Sequence, residues 1–134
     1  MLVSPFATIA AYSKGGVMKL SPIVLVATLL FSQALHADDQ NPEIEHLLEA
    51  IGSSGCVFIR NGSRHSAEKA EEHLGMKYRR GRRYAKSAEA FIENLATKSS
   101  MTRKLYMMEC PGEEAEPSGE WLTRRLEEFR REQA

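Results

Sequence analysis

Cysteine is scarce in this chain, with two in 134 residues, and there is one tryptophan in an aromatic content of 7 %. That excludes a cysteine-dense scaffold, and no interleaved aromatics offer a platform for single-stranded nucleic acid. No Cys-x-x-Cys occurs and the four histidines show no ligand spacing with the cysteines, so no metal and no cofactor is expected. Excess charge of one sign is missing too, since 18 basic residues meet 18 acidic ones. Bulk attraction to nucleic acid is therefore not expected. The longest apolar run, near Ile23–Phe31, is shorter than the ~20 residues of a spanning helix. No Gly-x-Ser-x-Gly elbow and no internal repeat appears.

What is present first is a leader. Lys19 precedes the apolar stretch Ile23-Val24-Leu25-Val26-Ala27-Thr28-Leu29-Leu30-Phe31, and Ser32-Gln33-Ala34 places small residues where a signal peptidase reads. Ala37 is a second cut, with Leu35 in a slot that prefers smaller side chains. Residues 1–37 thus read as a signal peptide, and Met18-Lys19 is a more natural start than Met1, making 1–17 a mis-called extension. No cysteine follows the apolar stretch closely, which argues against a lipid anchor. The expected location is the periplasm, and after cleavage the protein is not an integral membrane protein. Loss of Lys14 and Lys19 leaves 16 basic against 18 acidic side chains in residues 38–134, expected to form a single small domain.

Within that domain, Asn41-Pro42-Glu43 opens a helix carrying Ile44, Leu47, Leu48 and Ile51, closed by Gly52. Cys56-Val57-Phe58-Ile59-Arg60 reads as a strand ended by Asn61-Gly62. Ser63 or Ser66 caps a second helix with Ala67, Ala70 and Leu74, and Gly75 lies inside or near its end. Arg79-Arg80-Gly81-Arg82-Arg83 reads as a solvated connection, and Ala85, Ala88, Phe91, Ile92 and Leu95 as a third helix. Leu105–Glu109 is a second strand; an acidic loop, 113–117, leads to a last helix with Trp121, Leu122, Leu126 and Phe129 on one face. The expected fold is α+β: a short two-stranded, or three-stranded, antiparallel sheet packed on three or four helices.

Cys56 opens the first strand and Cys110 follows the second. Antiparallel pairing with Cys56 opposite Cys110 places Phe58 across from Met108 and Arg60 across from Tyr106. Directly opposed Cβ atoms lie ~4.5–5.5 Å apart, close enough to close a disulfide with slight adjustment. An oxidising compartment preserves such a bond. A structural Cys56–Cys110 disulfide is expected.

Several residues invite chemistry, and each has a plainer reading. Arg60-Asn61-Gly62 offers an anion pocket at a strand-to-helix turn, or merely a turn. Lys69, His73 and Lys77 share a helix face, where flanking cations hold the histidine neutral; the plainer reading is packing with Leu74 and Tyr78. Ser99 and Ser100 offer a hydroxyl nucleophile, or simply turn formation. The basic segment Arg79–Arg83 attracts an anionic partner, or keeps a surface soluble. Trp121 belongs to the core, or anchors a partner.

In order along the chain, Ile44–Leu48, Cys56–Gly62, Ala70-Glu71-Glu72-His73-Leu74 with Lys77-Tyr78, Ser87-Ala88-Glu89 with Phe91-Ile92, Ser99-Ser100, Tyr106 and Trp121-Leu122 resemble the YfeK-like family of small exported proteobacterial proteins. The resemblance covers nearly all of residues 38–134. It implies a periplasmic domain of unknown function and adds weight to Arg60, Asn61, His73, Lys77, Ser99, Ser100 and Tyr106 as one surface. Where the family has a glycine after the serine pair, Met101-Thr102-Arg103-Lys104 stands here.

The favoured class is a non-enzymatic binding or accessory module for an anionic lipid, a glycan or an acidic protein surface. The sequence leans against an enzyme because no nucleophile-base-orienter set is evident. A hydrolase using His73 with Ser99 or Ser100 is the first alternative. A structural envelope protein with a partner groove near Trp121 is the second.

Overall fold

The structure, a computed structural model, describes residues 40–134 together with Gly16. The expected leader, its cuts after Ala34 or Ala37 and the choice between Met1 and Met18 fall outside the described residues. Asn41 starts the first helix as its residue type predicts: Oδ1 accepts from the N–H groups of Glu43 at 3.0 Å and Ile44 at 3.4 Å. Helix α1, Pro42–Ser53, buries Ile44, Leu47, Leu48 and Ile51. Gly52 does not end it. The terminator is Gly55, whose φ of +66° is the left-handed conformation that follows a helix end.

Strand β1, Val57–Arg60, runs into a tight reversal rather than into a helix. Asn61 (φ +50°) and Gly62 (φ +79°) are both left-handed, as a two-residue primed hairpin turn requires. Strand β2, Ser63–His65, folds back with Phe58 opposite His65 and Arg60 opposite Ser63. The expected strand-to-helix turn is thus corrected to a β-hairpin. Strand β2 has no apolar residue to mark it; the turn specifies it.

Ser66 then caps helix α2, Ala67–Gly81, its hydroxyl accepting from the Lys69 N–H at 3.3 Å. Gly75 does not interrupt the helix, because Ala67, Ala70, Leu74 and Tyr78 continue one buried face past it. Arg79-Arg80-Gly81 forms its last turn instead of a connection, where cationic side chains suit the negative end of the helix dipole. Gly52 allows α1 to meet α2 closely: a Cβ there would overlap the Glu71 carboxylate. A 3₁₀ turn, Arg82–Tyr84, leads to helix α3, Ala88–Phe91, capped by Ser87 and continued as a π-helical turn, Ile92–Ala96.

Strand β3, Met107–Glu109, pairs antiparallel with β1, placing Val57 opposite Glu109 and Phe58 opposite Met108. This is the register that Cys56 facing Cys110 demands, and the two sulfurs are bonded. Strand β4, Glu116–Pro117, adds to β3 and leads directly into helix α4, Ser118–Gln133. The sheet therefore has four strands, in the order β2-β1-β3-β4, against the two or three expected. The extra strands are short and polar, so neither displays an alternating pattern. The class is α+β. Phe58, Phe91, Leu74, Met108 and Leu122 pack in the core between sheet and helices. Among the described residues no helix is long and apolar enough to cross a membrane.

Candidate functional site

Three secondary-structure segments bring four of the sequence-predicted residues together. Arg60 ends β1, Tyr106 precedes β3 in continuation of the same register, and His73 and Lys77 are one helical turn apart on α2. Arg60 Nη1 donates to His73 Nδ1 at 2.6 Å. Lys77 Nζ donates to the Tyr106 hydroxyl at 3.2 Å and to the Lys98 carbonyl at 3.3 Å, and lies 5.0 Å from the Tyr106 ring centroid. Tyr106 is buried, its ring set 5.1 Å from Phe58 and edge-on to His73 at 6.2 Å.

The electrostatics follow from this packing. A guanidinium has only donors, so His73 Nδ1 accepts and the neutral ring carries its proton on Nε2. Burial, and then the charges of Arg60, Lys77 and His65, depress the His73 pKa to about 4. Burial and then Arg60 lower that of Lys77; burial raises Tyr106. Among the described residues neither Arg60 nor Lys77 forms an ion pair with a carboxylate.

Between the β1–β2 hairpin and α2 is a cavity of about 290 Å³, whose wall includes Arg60, His65, Lys69, His73 and Arg79, with Glu72 as its acid. The Nε2 atoms of His65 and His73 are buried with no hydrogen-bond partner among the described residues. His65 was not singled out by sequence reasoning. The signal was the Asn-Gly turn, because a two-residue reversal after Arg60 fixes position 65 opposite Phe58. Lys69 is paired with Glu72 at 3.0 Å, and the guanidinium and neutral imidazole groups around the rest of the cavity suit an anionic, hydrogen-bond-accepting group. The described residues contain no cluster of three side chains able to hold a metal ion.

The remaining predicted residues go elsewhere. Asn61, at the hairpin tip, accepts through Oδ1 from the Thr102 hydroxyl. Ser99 is buried in a turn, its hydroxyl accepting from the Thr102 N–H at 3.2 Å. Ser100 is exposed and lines a different cavity with Lys77, Arg80 and Tyr84. Among the described residues no hydrogen bond joins His73 to either serine, so the structure offers no serine–histidine pair. Trp121 is 6 % exposed and belongs to the core, with Arg125 over its ring. Beside it lies an open cleft of about 590 Å³ between α1 and α4, containing the disulfide, the stacked His46–Phe129 pair and four glutamates, Glu49, Glu113, Glu128 and Glu132.

Comparison with known proteins adds ancestry. The model of a family of unknown function (DUF5329) matches residues 38–130. The uncharacterized protein YfeK of Salmonella typhimurium is 35 % identical over 92 residues, which is 66 % of this chain and 77 % of that protein. No solved structure matches. The matched stretch takes in every described strand and all but the last turn of α4. The chain accordingly belongs to the family of unknown function DUF5329, in keeping with its YfeK-like sequence.

Proposed function

We propose that this protein is a periplasmic, non-enzymatic binding module that takes up an anionic group in the cavity between the β1–β2 hairpin and α2. One observation carries the reading. Arg60, a partly buried cation without a carboxylate partner among the described residues, donates to a histidine kept neutral, and both line this cavity. Holding charge in this way costs stability, and such arrangements concentrate where a ligand completes them. Export is supported by the leader-like residues 1–37 and by the Cys56–Cys110 bond, which suits an oxidising compartment.

The test uses inorganic phosphate as probe. Titrating the protein at low salt should give saturable binding that weakens as sodium chloride is added. The same titration should raise the midpoint of the His73 ring in NMR, because a bound anion favours the imidazolium. Arg60→Met should weaken binding about tenfold, the loss of one charge-assisted contact. Absence of any response at millimolar phosphate would discard the reading. Export is checked separately by cell fractionation with N-terminal sequencing: a mature end after Ala34 or Ala37 is expected, and cytoplasmic protein with free thiols would refute it.

A further inference from the structure

A second surface stands apart from that cavity. Tyr84, Met101 and Leu105 are the large apolar side chains exposed among the described residues, at 52 %, 93 % and 51 %. Single exposed apolar residues are ordinary. These three, however, lie on or beside one loop, residues 98–105. Tyr84 and Ser100 line one cavity together with Arg80, Met101 is the next residue in the loop, and Leu105 bridges back to Lys98 at the loop base.

The loop is held, not loose. Ser99 N–H donates to the Lys104 carbonyl at 2.9 Å, Arg103 N–H to the Ser99 carbonyl at 3.0 Å, and Thr102 ties the loop to Asn61 of the hairpin. Met101 is therefore presented outward by an internally bonded turn. Around it the charge is one-sided. The stretches 74–88 and 97–108 contain no acidic residue, while Arg80, Arg83, Arg103 and Lys104 are cationic, Arg83 lying 4.6 Å from the Tyr84 ring centroid. Two acids, Glu93 and Glu120, share a cavity with Leu105.

We propose that this rim docks on an anionic phospholipid surface, with Met101 and Tyr84 entering the headgroup boundary and Arg80, Arg83, Arg103 and Lys104 meeting the phosphates. The chemistry is that of a peripheral contact: exposed apolar side chains accompanied by cations, neither sufficient alone. An acidic protein would satisfy the cations, but it gives no reason for a nearly fully exposed methionine in the same loop. The rim and the phosphate cavity share no residue that the tests below alter, so each can fail alone.

The test is co-sedimentation of the protein, as its cells make it, with vesicles of phosphatidylglycerol and phosphatidylethanolamine, and with vesicles of phosphatidylcholine alone. Binding to the anionic vesicles only, reduced by salt, is expected. Arg103→Glu with Lys104→Glu should cut the partition by about tenfold or more, and Met101→Ser by roughly threefold or more. Met101→Trp should show a blue-shifted emission on anionic vesicles, while Arg60→Met should leave the partition unchanged. Since Met101, Arg103 and Lys104 are exposed, circular dichroism of their variants should remain that of the parent. Equal sedimentation with both vesicle types, no sedimentation with either, or a partition indifferent to the Met101 and Arg103/Lys104 changes would overturn the proposal.

Discussion

Helix α4 and the cluster of Arg60, His73 and Lys77 beside α2 treat their cations in opposite ways. On α4, Arg130 grips Glu43 of α1 through two hydrogen bonds at 2.7 and 2.9 Å and also reaches Glu89 of α3 at 2.7 Å. Arg124 holds Glu116 of β4 in the same two-pronged fashion, and Arg125 pairs with Glu128. The hydrogen bonds from Arg130 and Arg124 hold the Glu43, Glu89 and Glu116 carboxyls below the usual carboxylate range. Beside α2 the shifts run toward neutrality: His73 and Lys77 both lose affinity for protons, chiefly through burial. One region uses charge to fasten elements together, and its neighbour keeps charge unfastened. Ion pairs between elements mark the scaffold; at the candidate cavity Lys69 pairs with Glu72 within α2, while Arg60 has no carboxylate partner among the described residues.

The sharpest way to break this contrast is on the scaffold side. Replacing Cys56 and Cys110 by alanine opens a link spanning 54 residues; the chain-entropy relation for such a loop gives a loss of about 4 kcal/mol. Urea denaturation with and without reductant should show it as a shifted midpoint. Next in size is the acid limb of stability set by His73. Its folded value, about 4, lies below the ordinary 6.5 of the unfolded chain. The neutral ring's contribution is therefore complete above pH 6.5 and drains away as pH falls toward 4. The expected loss is on the order of 1 kcal/mol once solvent screening is allowed for. His73→Gln should flatten that limb in a melting series.

Arg130→Ala should lower the melting temperature by a smaller amount, and the difference should shrink in high salt because the pairs are exposed. Glu43 and Glu89 have folded values below their unfolded ones, so the clamp acts at neutral pH and fails as pH drops through the depressed carboxylate range. The smallest effect is expected at Arg60→Leu. Removing the charge next to His73 should raise its NMR midpoint above 4 and nudge stability upward by about 0.5 kcal/mol. A loss of more than ~1 kcal/mol there would mean that Arg60 belongs with the scaffold after all.

Much of this arrangement was readable in the residues. The placement of two cysteines at the limits of two strands fixed a register, and that register alone carries Tyr106 toward Arg60. The i, i+4 spacing joined His73 to Lys77. What escaped were features whose cause is not apolar periodicity. Strand β2 is Ser63-Arg64-His65, specified by the Asn-Gly reversal, and β4 is two residues long with a proline in it. The terminator Gly55 was obscured by Gly52, whose role is a close approach between helices. Ser99 drew attention as a hydroxyl, yet its partner is a backbone N–H three residues on, a local contact that serine makes in any turn.

The bridge between Cys56 and Cys110 has one more effect. Arg60, Asn61, His73, Lys77, Ser99, Ser100 and Tyr106, together with the arginine-rich end of α2 and the Met101 loop, all fall inside the ring of chain it closes. A protease that severs the backbone once anywhere in that ring leaves the pieces fastened as a single molecule. Only a reductant would then let them drift apart.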